Sequence, residues 1–159
     1  MLAPMHASER LITDFYTAFQ KLDADGMAAC YADDVAFSDP AFPDLRGDRA
    51  RGMWRMLCKR AKDFELTFSD VTGDDAGGSA KWEARYLFSA TGRKVHNVID
   101  ARFEIADGKI VRHVDTFDFW RWTRMALGPA GLLLGWTPML KAKVQREAAS
   151  NLDKFLAKG

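Results

Sequence analysis

Phe103-Glu-Ile-Ala-Asp-Gly-Lys-Ile-Val-Arg-His-Val-Asp-Thr-Phe-Asp118 is the stretch on which the fold turns. Two runs of β-favouring residues flank Asp107-Gly108, a dipeptide that accepts the positive φ values of a tight hairpin. Upstream, Phe64 to Val71, Ala80 to Ala90 and Lys94 to Ile105 have the same character, separated by Asp74-Asp-Ala-Gly-Gly and Thr91-Gly. With Lys109 to Phe119 they predict an antiparallel meander of four strands.

Ahead of the meander the period changes. Leu11, Ile12, Phe15, Tyr16, Phe19 and Leu22 recur at three- and four-residue steps, which predicts a long helix with one apolar stripe. Asp23 to Gly26 breaks it and caps a short second helix carrying Met27, Cys30 and Tyr31. A brief extended piece, Val35 to Phe37, leads to the rigid turn Asp39-Pro-Ala-Phe-Pro. Asp48 reads as the N-cap of a third helix reaching about Lys62, with Met53, Trp54, Leu57 and Ala61 on one face. Behind the meander come Trp120 to Leu127, a Gly-Pro-Ala-Gly linker, Leu132 to Leu134, and a last helix from Pro138 whose stripe is Val144, Ala148, Leu152 and Phe155 or Leu156.

Helices followed by hairpin-linked strands give an α+β fold, a cone-shaped curved antiparallel sheet covered by N-terminal helices. The 159 residues fit one domain spanning 1–159, with the core over 8–119 and a C-terminal helical extension over 120–159. Lys plus Arg is 23 against 22 for Asp plus Glu, which provides no long-range field for nucleic acid or an anionic membrane. Cys30 and Cys58 lack metal-ligand spacing and read as free buried thiols. Met1 to Ala7 shows no secretion signal and no apolar run is long enough to span a bilayer, so the reading is a cytoplasmic protein without stable membrane insertion. Leu132-Leu-Leu-Gly-Trp136 reads as a lid or dimer contact ahead of a membrane contact, because balanced flanks attract anionic lipid weakly. No metal motif, phosphate loop or nucleophile elbow is present, so neither a cofactor nor a metal is expected.

Alternation sorts the strand residues into two faces. Val95, Asn97, Ile99, Ala101, Phe103 and Ile105 form the inner face of the third strand of the meander, opposite His96, Val98, Asp100, Arg102 and Glu104. Trp82, Ala84, Tyr86 and Phe88 form that of the second. The fourth is ambiguous, with Ile110, Val114 and Trp120 on one side and Val111, His113, Asp115, Phe117 and Phe119 on the other.

Tyr31-Ala-Asp-Asp-Val-Ala-Phe-Ser-Asp-Pro40, Leu45-Arg-Gly47 and the opening stretch together resemble the nuclear transport factor 2-like superfamily, a cystatin-like roll that includes ketosteroid isomerases, SnoaL-type polyketide cyclases and limonene epoxide hydrolases. The resemblance covers roughly residues 8 to 119 and puts His113, Asp115 and Phe117 on the pocket side. It implies Asp39 where the isomerases hold a general base and Asp115 where the epoxide hydrolases hold a catalytic acid. The isomerases' oxyanion-hole tyrosine falls on Phe15, with Tyr16 beside it, and the better alignment matches their protonated aspartate to Ala101. The hydrolases' Arg-x-Asp pair has no counterpart from Trp82 to Phe88. These departures argue against steroid isomerisation and epoxide opening.

His113 and Asp115 stand about 7 Å apart on one strand face. A carboxylic acid in an apolar cavity suits a general acid or a weak base for protons next to a carbonyl. Asp115 and Asp39 are therefore the expected catalytic groups, with His113 as partner to Asp115. Asn97 would orient a substrate oxygen, and Phe15, Tyr16, Trp54, Trp82, Tyr86, Phe103 and Phe117 would line the pocket. His113, Asp115 and Asn97 can equally satisfy one another as a buried polar network, and Asp39 can simply shape its turn. The expectation is an isomerase-, cyclase- or hydratase-type enzyme acting on a small hydrophobic carbonyl compound, as a homodimer. The alternative is a noncatalytic binding or assembly module.

Overall fold

The computed structural model describes residues 4–158, so the reading of Met1 to Ala7 falls partly outside it. Helix α1, Ala7–Gln20, buries Ile12, Phe15, Tyr16 and Phe19 against the sheet, and α2, Ala24–Ala29, is capped by the Asp23 carboxylate, which accepts the Gly26 N–H. Helix α3, Asp48–Arg60, buries Met53, Trp54 and Met56. Its N-cap is Gly47 at φ 54°, a value glycine adopts freely; Asp48 is instead the first helical residue and pairs with Arg51. Leu57, expected on the packed face, is exposed.

Strands β1 (Tyr31–Ser38), β2 (Leu45–Arg46), β3 (Glu65–Gly73), β4 (Gly77–Phe88), β5 (Arg93–Ala106) and β6 (Lys109–Thr116) form one curled sheet in the order β2-β1-β6-β5-β4-β3. The meander is antiparallel as expected, and Asp107 and Gly108 both take positive φ at its last turn. The sheet is nevertheless mixed, because β1 lies parallel to β6. The segment expected as Val35 to Phe37 begins at Tyr31, and the parallel pairing sets Phe37 opposite His113.

One irregularity explains the ambiguity of β6. The register shifts between Glu104 and Ile105, where Ile105 faces Ile110 but Glu104 faces Arg112. The extra residue at Val111 lets Ile110, His113 and Asp115 all be buried, which strict alternation forbids. The inner faces of β4 and β5 follow the pattern read from the sequence.

The tail comprises α4 (Phe119–Leu127), α5 (Pro129–Leu134) and α6 (Pro138–Ala157). The Asp118 carboxylate accepts the Arg121 N–H at the start of α4. Helix α6 runs along α3, where Leu152 is fully buried in the main core and Leu156 packs over Gly52. Cys30 is buried and Cys58 half-buried, and both are free.

Candidate functional site

Three rows of inner-face residues cross the sheet, and each sets a different environment. Phe37, His113, Phe103 and Gly78 form one row. Asp115, Ala101 and Ala80 form the next, and Ile99, Trp82 and Phe68 the third. The residues beside Asp115 in its row are small, and the Tyr16 and Trp82 rings lie 5.9 Å from one another.

His113 and Asp115 are both buried, with His113 Nε2 2.8 Å from Asp115 Oδ1. On the other side of the imidazole, the Tyr31 hydroxyl lies 2.7 Å from Nδ1, and Trp54 Nε1–H donates to the Tyr31 oxygen at 2.8 Å. Trp82 Nε1–H reaches Asp115 Oδ1 at 3.4 Å. An indole nitrogen can only donate, so the Tyr31 oxygen accepts from Trp54. An ionised carboxylate can only accept, so Nε2–H donates to Asp115, and in the neutral imidazole Nδ1 is then the acceptor of the Tyr31 O–H. This proton placement is assigned from the network, and it leaves every donor pointing toward Asp115. Burial raises the Tyr31 pKa well above that of a free phenol, the Trp54 bond opposes the shift, and the Asp115 charge adds to it, so Tyr31 stays a donor.

Both bonds to Asp115 fall on Oδ1. The same holds for Asp39, whose Oδ1 accepts the N–H groups of Ala41 at 2.7 Å and Phe42 at 2.6 Å. Asp39 thus shapes its turn, and its other oxygen has no hydrogen-bond partner among the described residues. Burial pushes the Asp39 pKa up to about 7, the two backbone bonds oppose this, and the Asp115 charge contributes. Tyr16 is fully buried and its hydroxyl has no partner among the described residues. Burial first and the Asp115 charge second raise its pKa, which keeps it a proton donor. Without hydrogen-bond partners among the described residues are therefore the Tyr16 phenol and one oxygen each of Asp115 and Asp39, and the Asp115 charge acts on both of the other groups.

Around them the packing is aromatic. The His113 ring lies 4.3 Å from Phe103, 5.0 Å from Phe37, 5.5 Å from Phe15 and 6.0 Å, stacked, from Trp54. Two surface clefts, of about 400 Å³ beside Ser8, Leu11 and Ile105 and of about 320 Å³ beside Leu22, Arg55 and Cys58, lie away from this centre. Among the described residues no group of three His, Cys, Asp or Glu could hold a metal ion.

A SnoaL-like domain matches residues 12–113, from the first fully buried residue of α1 to the imidazole at the centre of the network. This chain belongs to the SnoaL-like family. No curated protein matches it in sequence. Among solved structures, an LEH-like epoxide hydrolase from M. tuberculosis is similar at 24% identity and TM-score 0.65, over 80% of this chain and 96% of that one. An NTF2-like protein of unknown function from Burkholderia pseudomallei K96243 has 19% identity and TM-score 0.67, over 76% and 98%. A protein proposed to be a polyketide cyclase, from Xanthomonas campestris pv. campestris, has 21% identity and TM-score 0.63, over 75% and 96%. These likenesses show the fold.

In this SnoaL-like domain the residues singled out from sequence do not all meet. His113, Asp115, Trp54 and Trp82 are joined by hydrogen bonds, with Phe15, Tyr16 and Phe103 packed around them. Asn97 is buried on the inner face but makes no hydrogen bond with His113 or Asp115. It sits opposite Ala84, four residues along β5 from Ala101, roughly 13 Å from the acid's row. Tyr86 lies farther toward that end, where its hydroxyl accepts from Trp122 Nε1–H at 3.0 Å, and Phe117 is half-buried.

Two functional candidates were absent from the sequence reading. The sequence pattern sets Tyr31 on a helix stripe, although it opens the motif that ends in Asp39-Pro40; its role depends on a parallel pairing with β6 that no local pattern encodes. Trp122 lies in the tail, where the sequence pattern gives it no partner; its Nε1–H donates to the Tyr86 hydroxyl and its ring lies 5.3 Å from Phe88.

Proposed function

We propose that this SnoaL-like protein is a cofactor-independent acid–base enzyme of the isomerase, cyclase or hydratase type, acting on a small hydrophobic carbonyl compound. The observation that carries the reading is a set of polar atoms without hydrogen-bond partners among the described residues: the fully buried Tyr16 hydroxyl and one oxygen each of buried Asp115 and half-buried Asp39. A carboxylate with a pKa near 7 is suited to take a proton at neutral pH, and Asp39 is that group. Tyr16, kept protonated, can donate to a carbonyl oxygen as negative charge develops on it. Asp115 acts on both through its charge and is oriented by His113 and Trp82, and its other oxygen is a second acceptor for a substrate proton. A homodimer in the cytoplasm is the proposed assembly and place, with the outer face around His96 and Val98 as contact.

One observation favours a second reading. The rings about His113 are closely packed, and the chain from Trp54 to Asp115 is internally satisfied, as in a noncatalytic binding or assembly module of the same fold. Deuterium exchange of α-protons distinguishes the two. A panel of cyclic ketones and 1,3-dicarbonyl compounds is incubated with the protein in D₂O and followed by NMR. The enzyme reading expects exchange above the buffer rate that falls at least about tenfold in both Asp39→Asn and Asp115→Asn. Saturable binding with no exchange for any compound, or exchange unchanged in both variants, sinks it.

A further inference from the structure

Leu132, Leu133, Leu134, Trp136 and Met139 are between 51% and 81% exposed, and they follow one another across the turn from α5 into α6. Solvent-facing apolar side chains scattered singly are ordinary, but five contiguous ones at one tip form a patch of the kind that marks a contact surface. The tip is held rigidly. A Cβ at Gly131 would overlap the Thr123 carbonyl oxygen, and one at Gly135 the Thr123 hydroxyl, so both glycines let α5 lie directly on α4. Trp120 Nε1–H donates to the Leu132 carbonyl at 3.2 Å, and Trp120 is itself exposed. With the small residues turned inward, the leucines must face outward.

The charge around the tip is one-sided. From Phe119 to Arg146 the chain carries Arg121, Arg124, Lys141, Lys143 and Arg146 and no carboxylate, while the other 18 of the 23 cations face all 22 acids. The near-neutral total conceals a local positive field, which overturns the expectation of balanced flanks. These cations adjoin the apolar patch. The Arg124 guanidinium lies 4.6 Å over the Trp120 ring, and Lys143 and Arg146 follow Met139 on the same face of α6, at four and seven residues.

We infer that the α5–α6 tip docks on an anionic lipid surface. Leucine, tryptophan and methionine side chains enter the headgroup boundary, and the flanking Arg and Lys side chains meet lipid phosphates. Exposed apolar residues beside cations, with tryptophan at the edge, suit the interface plane, and the basic set selects anionic over zwitterionic lipid. Among the described residues no helix is long and apolar enough to cross a membrane, so the protein lies on the surface rather than spanning it. The matched family segment ends at residue 113, which puts this docking device outside it. The inference goes beyond the acid–base reading and stands without it.

Vesicle flotation of the full chain tests it, with phosphatidylcholine alone against phosphatidylcholine mixed with phosphatidylglycerol. Partitioning onto the mixed vesicles should exceed that onto the neutral ones by roughly tenfold at low salt and decline as salt is raised. Leu133→Ser with Trp136→Ser should lower binding to the mixed vesicles by about tenfold. Lys141→Gln with Lys143→Gln should remove most of the preference for anionic lipid. These side chains are exposed, and unchanged far-UV circular dichroism would show that both variants fold. Flotation with neither vesicle, or equal flotation of the Leu133/Trp136 variant and the parent, overturns the inference. So does a parent dimer that floats with neither vesicle and dissociates in the Leu133/Trp136 variant, which would assign the tip to a second copy of the chain.

Discussion

The Tyr31 hydroxyl and His113 Nδ1 lie 2.7 Å apart although 82 residues separate them in the chain. This bond joins the first strand to the last, and it is the joint on which the proton arrangement of the interior depends. Tyr31→Phe removes the oxygen and leaves both Trp54 Nε1–H and His113 Nδ1 buried without partners. The expected loss is about 2–4 kcal/mol of unfolding free energy, measured by urea titration. The His113 ring nitrogen shifts should change in the same variant, because Nδ1 then loses the donor it accepts from. A loss below about 0.5 kcal/mol would mean that the hydroxyl is not the group satisfying both.

Asp39 makes stability fall as pH rises. Its folded pKa of about 7 lies above the 3.8 of an unhindered aspartate, so the folded chain holds a proton that the unfolded chain has released throughout that interval. Below about 4 both states are protonated and the penalty is absent; it grows from there to about 7 and is then fully present. Asp39→Asn retains an oxygen for the Ala41 and Phe42 N–H groups and carries no charge. The variant should be more stable at pH 8 by on the order of 1–2 kcal/mol and flatter between pH 4 and 7. Chemical denaturation across that range reads both. A wild-type profile already flat there would remove Asp39 from the desolvated interior.

Much of the fold was legible because the deciding signals are local. Asp107-Gly108 takes the φ values its chemistry favours, Asp23 caps the helix it precedes, and the inner faces of β4 and β5 follow a period of two. Non-local relations were not legible. The parallel pairing of β1 with β6 converts Tyr31 from a helix-stripe residue into the partner of His113. The extra residue at Val111 breaks the alternation that would otherwise have assigned β6. At the site, the two carboxylates and the histidine could be named from sequence together with the family resemblance. The distance of Asn97 from them could not, because strand register, and not residue type, decides which inner-face groups meet.

Tyr16 offers an inverted test of the same interior. Its hydroxyl is buried with no protein partner, so Tyr16→Phe discards a desolvated polar atom and no hydrogen bond. Stability should therefore hold or rise, within about 1 kcal/mol, while any α-proton exchange catalysed by the wild type should fall at least about tenfold. The contrast with Tyr31→Phe separates a hydroxyl kept for a ligand from one kept for the scaffold. A destabilisation comparable to that of Tyr31→Phe would show that Tyr16 belongs to the scaffold.

Gly131 decides whether the tip of the tail is a built structure or a loose end. An alanine there sets its Cβ against the Thr123 backbone carbonyl, which cannot rotate aside as a side chain could, so α5 has to lift away from α4. Lifting breaks the weak bond from the Thr123 hydroxyl to the Gly131 carbonyl and the bond from Trp120 to Leu132. Gly131→Ala should accelerate hydrogen exchange across residues 119–137 and destabilise that segment by about 1–3 kcal/mol, with little change at Tyr31 or His113. Leu133→Ala, at an exposed neighbouring position, should leave exchange within error of the wild type. Equal exchange in both variants would mean that the two helices are not packed through glycine, and the outward presentation of Leu132 to Leu134 would lose its structural cause.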